Sequence, residues 1–132
     1  MMAPLIETFK TQHREIERTL EACEPLKDSA PLIAKLKTFR ELVVRHLDAK
    51  DAFYKQLGAL CTEKNDHASA NLLRIFEPNM SVQSTAVKKF FQTLDAPAGN
   101  FVQAFNTVAY ILRQRISTEE KAIFPMYQKH TP

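Results

Sequence analysis

Glycine is scarce in this sequence, because only Gly58 and Gly99 occur among its 132 residues. Short β-branched runs bounded by turn residues are also missing, so strands have little support and the chain is predicted to be all-α. No apolar run approaches the roughly 18 residues of a membrane span, and the N-terminal stretch MMAPLIETFKTQHREIE contains acids and no long apolar segment. We therefore expect no membrane span, no signal peptide and a cytoplasmic protein.

The sequence also lacks a large excess of positive or negative charge and a set of cysteines that could form a disulfide framework. The 18 basic and 15 acidic residues give a net charge of only +3 and are mixed along the chain, so nucleic acid is not an expected partner. The two cysteines, Cys23 and Cys61, fall near the C-terminal ends of the first two predicted helices, which lie at opposite ends of an antiparallel pair. A disulfide is therefore not expected, and two reduced thiols fit a reducing compartment.

What the sequence does contain is enough apolar material for one globular domain over residues 1–132, since 45% of the residues are apolar and 25% are charged. Breaks at residues 23–31, 62–66 and 94–100 leave four helical segments, at roughly 5–22, 31–60, 65–94 and 100–129. Pro78 is expected to kink or break the third segment, because a proline inside a helix removes a hydrogen bond.

Apolar residues in these segments recur at alternating spacings of four and three, the pattern of one helix face. The stripe of the first segment contains Leu5, Phe9, His13, Ile16 and Leu20. The stripe of the second contains Leu32, Leu36, Phe39, Val43, His46, Lys50, Phe53, Leu57 and Leu60. The stripe of the fourth contains Phe101, Phe105, Val108, Leu112, Arg115, Glu119, Ala122 and Met126. Such stripes predict an up-down antiparallel four-helix bundle with these residues buried: Phe9, Phe39, Phe53, Leu73, Phe76, Phe105 and Leu112.

Five polar residues interrupt the stripes: His13, His46, Lys50, Arg115 and Glu119. Burying an unpaired charge costs several kcal/mol, so these side chains must meet each other, a ligand or water. The alternative is that Arg115 and Glu119 pair with each other four residues apart on a solvated face, which contributes only a few tenths of a kcal/mol.

The segments LIETFKTQHREIERTL, HLDAKDAFYKQL and RISTEEKAIFPMY resemble the hemerythrin-like (HHE) cation-binding domains, and the resemblance covers nearly the whole chain. It implies a hemerythrin-like bundle around a non-haem di-iron centre used for oxygen binding, sensing or repair chemistry. In that family one histidine comes from the first helix, and the second and fourth helices each carry a His-x-x-x-Glu pair. Further histidines come from the third helix.

Carried over residue by residue, the resemblance assigns His13 to the first-helix ligand, His46 to the second-helix histidine and Glu119 to the fourth-helix carboxylate. Lys50 stands at the position of the second-helix glutamate and Arg115 at that of the fourth-helix histidine. Both replacements are cations, which remove ligands and add repulsion to any metal ion. We therefore expect vestigial metal ligands and an ion-pair network in place of the di-iron centre.

Two further residues are weaker candidates for metal ligands, His67 and Glu120, and both are predicted to lie on the surface. The expectation for cofactors is none, with non-haem iron as the alternative if the site is retained. A single weakly held ion on His13, His46 and Glu119 is the intermediate case.

For function, these residues favour a non-enzymatic binding or regulatory module with a protein partner, either monomeric or homodimeric. One alternative is an anti-sigma regulator, because FRELVVRHLDAKDAFYKQL, LLRIFEPNM and LRQRISTEEKAI are similar in layout to the bacterial Rsd/AlgQ regulators that bind the housekeeping sigma subunit of RNA polymerase. Another is a working non-haem iron protein that binds or senses oxygen or nitric oxide. An enzyme has least support, since no nucleophile or second carboxylate accompanies the seam histidines.

Overall fold

Four long helices and a short C-terminal one make up the computed structural model, which describes residues 4–97 and 99–131. In chain order they are α1 (Pro4–Cys23), α2 (Ser29–Glu63), α3 (His67–Gln92), α4 (Phe101–Thr118) and α5 (Phe124–His130), with a π-helical turn (Glu119–Ile123) joining the last two. α2 packs against α1 and α3, and α4 packs against the same two helices, so the four long helices form a closed bundle. The predicted all-α four-helix bundle is confirmed, and its segment ends differ from the observed ones by a few residues.

The core of the bundle consists of two apolar clusters. The first is built from the C-terminal half of α1, the N-terminal half of α2, the C-terminal half of α3 and α4. The second is built from the start of α1, the end of α2, the middle of α3 and the π-helical turn with α5. Between the two clusters along α1, α2 and α4 lie His13, His46, Lys50, Arg115 and Glu119, which we call the polar layer.

Six of the seven residues expected in the core are buried, and Phe76 is the exception, being only partly buried. Of the expected kink or break at Pro78, the break is wrong, because α3 runs through this proline without interruption, and the kink stays a prediction. Leu73 before it and Met80 after it are both buried. Packing on both sides of the proline therefore holds α3 together despite the lost backbone hydrogen bond.

The π-helical turn begins at Glu119 and ends just before Phe124, whose backbone N–H donates to the Glu119 carbonyl five residues earlier. Pro125 follows at once, and a proline can neither donate to the carbonyl four residues before it nor avoid crowding that carbonyl. A wider turn at this point relieves the crowding. It also shifts the predicted stripe, because Ile123 and Phe124 are fully buried whereas Ala122 is only partly buried.

Both cysteines are buried and free, Cys23 in the first apolar cluster and Cys61 in the second, so the expectation of no disulfide is confirmed. Within residues 4–97 and 99–131, no helix combines the length and the apolarity needed to cross a membrane.

Candidate functional site

The polar layer brings together five side chains from three helices and the π-helical turn. His13 comes from α1, His46 and Lys50 from α2, Arg115 from α4, and Glu119 opens the π-helical turn. Lys50 and Arg115 are each 2% exposed and Glu119 is fully buried. The prediction that these charged residues point into the bundle is confirmed, and the alternative of a solvated Arg115–Glu119 pair is wrong.

Glu119 is the hub of the layer. One of its carboxylate oxygens, Oε1, accepts a hydrogen bond from the Lys50 ammonium, and the other, Oε2, accepts one from the Tyr54 hydroxyl. Arg115 Nη2 lies 3.5 Å from Oε2, and His13 Nε2 lies 3.2 Å from Oε1. Every oxygen of the only carboxylate in the layer therefore already has a partner within the protein.

Burial and neighbouring charge set the ionisation of this hub. Burial alone pushes the pKa of Glu119 upward, but the Lys50 ammonium, His13 and Arg115 outweigh it, so the pKa lies well below its usual value and the side chain is ionised. Burial lowers the pKa of Lys50 to about 8 although Glu119 opposes the shift. Burial, with the Glu119 charge beside it, raises the pKa of Tyr54, which keeps its proton and acts as a donor.

The two histidines of the layer are held by their Nδ1 atoms. His13 Nδ1 lies 2.7 Å from Glu120 Oε2, and His46 Nδ1 lies 2.6 Å from Gln12 Oε1. For His46 the amide oxygen keeps the proton on Nδ1 and leaves Nε2 with a lone pair, whereas both ring nitrogens of His13 face carboxylate oxygens, Nδ1 that of Glu120 and Nε2 that of Glu119. Both Nε2 atoms are buried; that of His46 has no hydrogen-bond partner among the described residues, and that of His13 lies 3.2 Å from Glu119 Oε1 without hydrogen-bond geometry.

Packing and burial fix the rings further. The rings of His13 and His46 meet edge to face with centroids 5.0 Å apart, and Phe124 stacks on His13 at 5.5 Å. Burial and the Lys50 cation lower the pKa of His46 to about 2, so this ring stays neutral at physiological pH.

Glu120 does not lie on open surface as predicted. Its side chain is 22% exposed and bonds both His13 and Arg14, whose Nη2 lies 2.5 Å from Glu120 Oε2. The π-helical turn explains the error, since its wider backbone lets two consecutive glutamates both reach the bundle side of the helix. His67, by contrast, is the exposed first residue of α3, as expected of a surface histidine.

Two residues that the sequence analysis did not single out support the layer, namely Gln12 and Tyr54. Tyr54 follows Lys50 by four residues, so it lies on the same face of α2 and could have been found by extending the search to polar neighbours of the stripe. Gln12 offers no comparable signal, because it directly precedes His13 and its side chain lies off the α1 stripe.

The chain matches the Hemerythrin HHE cation binding domain over residues 4–127, and it therefore belongs to that family. It has no match among curated proteins and none among solved structures. The family assignment confirms the resemblance and the fold, and it raises the question whether the residues present fit the metal ions that the family name implies.

A di-iron centre does not fit the polar layer. Two ions need bridging carboxylates and several histidines, whereas the layer offers one carboxylate and places two cations against it. His13, His46 and Glu119 do present ligand atoms that all lie within 4.8 Å of one another, which is enough for one ion. Lys50 would have to leave Glu119 before that carboxylate could serve as a ligand.

Proposed function

We propose that this HHE domain is a non-enzymatic binding or regulatory module in which a metal-free ion-pair layer replaces the di-iron centre. The observation that carries the proposal is the Lys50 ammonium bound to Glu119, on a carboxylate that would otherwise be a metal ligand. Arg115 reinforces the substitution from the other side of the same carboxylate. Two fixed cations beside one anion raise the free energy of any divalent cation placed there.

The non-enzymatic part of the proposal is supported by the state of the histidines. His13 and His46 are at most 1% exposed, and the Nδ1 atom of each ring lies within hydrogen-bond distance of a side-chain oxygen. A general acid or base must reach a substrate proton within hydrogen-bond distance, which neither ring does without a rearrangement of the bundle. The partner of such a module, including the sigma subunit suggested by the Rsd/AlgQ similarity, stays a prediction.

A restored-ligand variant tests the proposal. Lys50→Glu with Arg115→His supplies the two ligand types, a carboxylate and an imidazole, that the cations displaced. We expect this variant to bind about one or two iron ions per chain. The matched control is Lys55→Glu with Arg113→His, which makes the same changes on the same two helices outside the layer. Metal content of both variants, measured after growth with ample iron, decides the matter. Iron uptake by the control, or none by the folded restored-ligand variant, would count against the proposed ancestry of the layer.

A second candidate function is the binding of one divalent ion on His13, His46 and Glu119. The His46 Nε2 atom, which has no hydrogen-bond partner among the described residues, favours it, because both rings are already oriented through Nδ1 in the manner typical of metal-bound histidines. Two imidazoles and one carboxylate suit zinc or ferrous iron. Lys50→Met removes the competing cation, so this candidate predicts a tighter zinc affinity by about tenfold or more in that variant, measured by competition with a chelating dye. Equal affinities in the two proteins would eliminate it.

A further inference from the structure

A cavity of about 290 Å³ opens between α3 and α4 beside the polar layer. Its lining includes the side chains of Phe76, Asn79, Gln83, Tyr110, Gln114 and Arg115. Arg115 therefore belongs to the ion-pair layer and also lines this space, although its side chain is only 1% exposed. The volume lies at the lower end of the range for small-molecule sites, which restricts the ligand to a compact molecule.

The Arg115 guanidinium is poorly satisfied by the protein alone. Nη1 donates to the Met80 carbonyl over 3.3 Å and Nη2 lies 3.5 Å from Glu119, both at the long end for hydrogen bonds. Nε makes no hydrogen bond within the part of the chain that the structure describes, although the side chain is buried. Arginine has five donor hydrogens, and buried donors are rarely left without acceptors. An acceptor beside the guanidinium would complete its hydrogen bonds, and the positive charge favours one that is anionic.

The net charge of the polar layer also favours an anionic ligand. Lys50 and Arg115 contribute two positive charges and Glu119 one negative charge, so these three side chains carry a net charge of +1. A bound monoanion would bring the charge of the layer to zero.

The other lining residues narrow the chemistry of that anion. Asn79, Gln83 and Gln114 supply neutral amide groups, which bind polar atoms without adding charge. Phe76 and Tyr110 supply aromatic surface at the same cavity, and Tyr110 is 65% exposed with its ring free to cover a ligand. Arginine pairs with planar carboxylates through two parallel hydrogen bonds, and aromatic walls favour an apolar body behind that group.

We propose that the cavity between α3 and α4 binds a small organic monocarboxylate, with its carboxylate on Arg115 and its apolar body against Phe76 and Tyr110. This inference rests on the proposed function, because its charge argument takes the polar layer to be free of metal. It makes the module a receptor for a metabolite-sized acid. Occupancy would tie α3 to α4 next to the ion pairs that join α2 to the π-helical turn.

Calorimetric titration of the full chain with benzoate, at constant ionic strength, tests the proposal. Benzamide is the neutral comparison of the same shape, and inorganic phosphate is the comparison anion without an apolar body. We expect benzoate to bind with a dissociation constant near or below about 1 mM and benzamide about tenfold or more weakly. Equal binding of benzoate and benzamide, equal binding of benzoate and phosphate, or no benzoate binding would each overturn the proposal.

Variants locate the site. Arg115→Gln should weaken benzoate binding about tenfold or more, and Arg113→Gln, an arginine on the same helix that does not line the cavity, should leave it unchanged. Tyr110→Ala tests the same site without disturbing the buried layer, since that ring is largely exposed, and should weaken binding several-fold. Unchanged affinity in both the folded Arg115→Gln and Tyr110→Ala proteins would place the carboxylate elsewhere and refute the inference.

The metal content of the same sample separates this inference from the proposed function. Metal-free protein without benzoate binding would overturn the inference alone. Metal-loaded protein that still binds benzoate through Arg115 would overturn the metal-free layer and leave the carboxylate site standing. Metal-loaded protein without benzoate binding would overturn both.

Discussion

Lys50 and Glu119 form an ion pair in the interior of the bundle, where the ammonium from α2 donates to the carboxylate that opens the π-helical turn. Their side chains are 2% and 0% exposed. A buried pair of this kind adds little stability compared with apolar packing, but the loss of one partner leaves the other charge buried alone. The stability of this domain should therefore depend on Glu119 far more than on a surface glutamate.

Glu119→Gln tests that dependence, because it removes the only anion and leaves the Lys50 and Arg115 cations facing each other. We expect the free energy of unfolding to fall by about 3 kcal/mol or more in urea denaturation at pH 7. Glu24→Gln is the control, since Glu24 pairs with Arg113 at the surface, and it should lose less than about 1 kcal/mol. A loss for Glu119→Gln as small as that of the control would show that the layer is not an ion-pair network.

Replacing all three charged residues of the network should destabilise the protein less than removing the Glu119 charge alone. In the triple variant Lys50→Met, Arg115→Met and Glu119→Leu, every charge is exchanged for an apolar side chain of similar size. Such exchanges are often neutral or stabilising, because they remove the desolvation penalty together with the attraction. We expect the triple variant to be more stable than Glu119→Gln alone, by comparison of urea midpoints. The reverse order would mean that the ion pairs contribute net stability.

Tyr54→Phe removes a single hydroxyl from the layer and keeps the ring. The hydroxyl donates to ionised Glu119, and hydrogen bonds to charged groups contribute roughly 1.5–3 kcal/mol, so a loss in that range is expected in the free energy of unfolding. Tyr110→Phe, on the exposed face of α4, should change stability by less than about 0.5 kcal/mol. Indistinguishable effects of the two substitutions would remove Tyr54 from the network.

The stripes in the sequence were enough to identify the five side chains of the polar layer, because an unbroken three-and-four spacing fixes which face of a helix is buried. They could not reveal the π-helical turn, since a backbone change of one residue leaves no mark on a pattern that tolerates spacings of three and four. Glu120 was misplaced and Phe124 was missed for that reason. The continuity of α3 through Pro78 was beyond the sequence too, because it depends on packing across the bundle.

The contacts of Asp66 link the α2–α3 connection to the C-terminal helix, and we expect the stability that they contribute to be lost in acid. Its carboxylate accepts from the Ser69 backbone N–H at 3.2 Å and pairs with Lys129 at 3.0 Å and with His130 at 2.7 Å. The hydrogen bonds from Ser69, His130 and Lys129 lower the pKa of Asp66 well below its usual value. A carboxyl whose pKa is lower in the folded state stabilises the fold above its unfolded pKa of about 3.9, and this stabilisation is lost as the pH falls further.

Asp66→Asn should therefore destabilise the protein at pH 7, and the difference from the unaltered protein should shrink as the pH is lowered below about 4. The measurement is the free energy of unfolding of both proteins between pH 7 and pH 3. Asp28→Asn is a suitable control, because Asp28 precedes α2 without a side-chain capping hydrogen bond. A difference that does not change with pH would show that the Asp66 carboxylate charge plays no part in the link.

We propose that the polar layer holds ion pairs in place of the metal ions that the family name implies, and the most direct test is the metal content of the unaltered protein. The protein is produced with ample iron and purified without chelator. Its metal content is measured by elemental mass spectrometry, and its absorption spectrum is recorded. Three ligand groups with Lys50 and Arg115 against the carboxylate predict well under one tightly held metal ion per chain and no oxo-bridged di-iron absorption. Two iron ions per chain would contradict this account, because His13, His46 and Glu119 cannot fill two coordination spheres while both cations remain bound to Glu119.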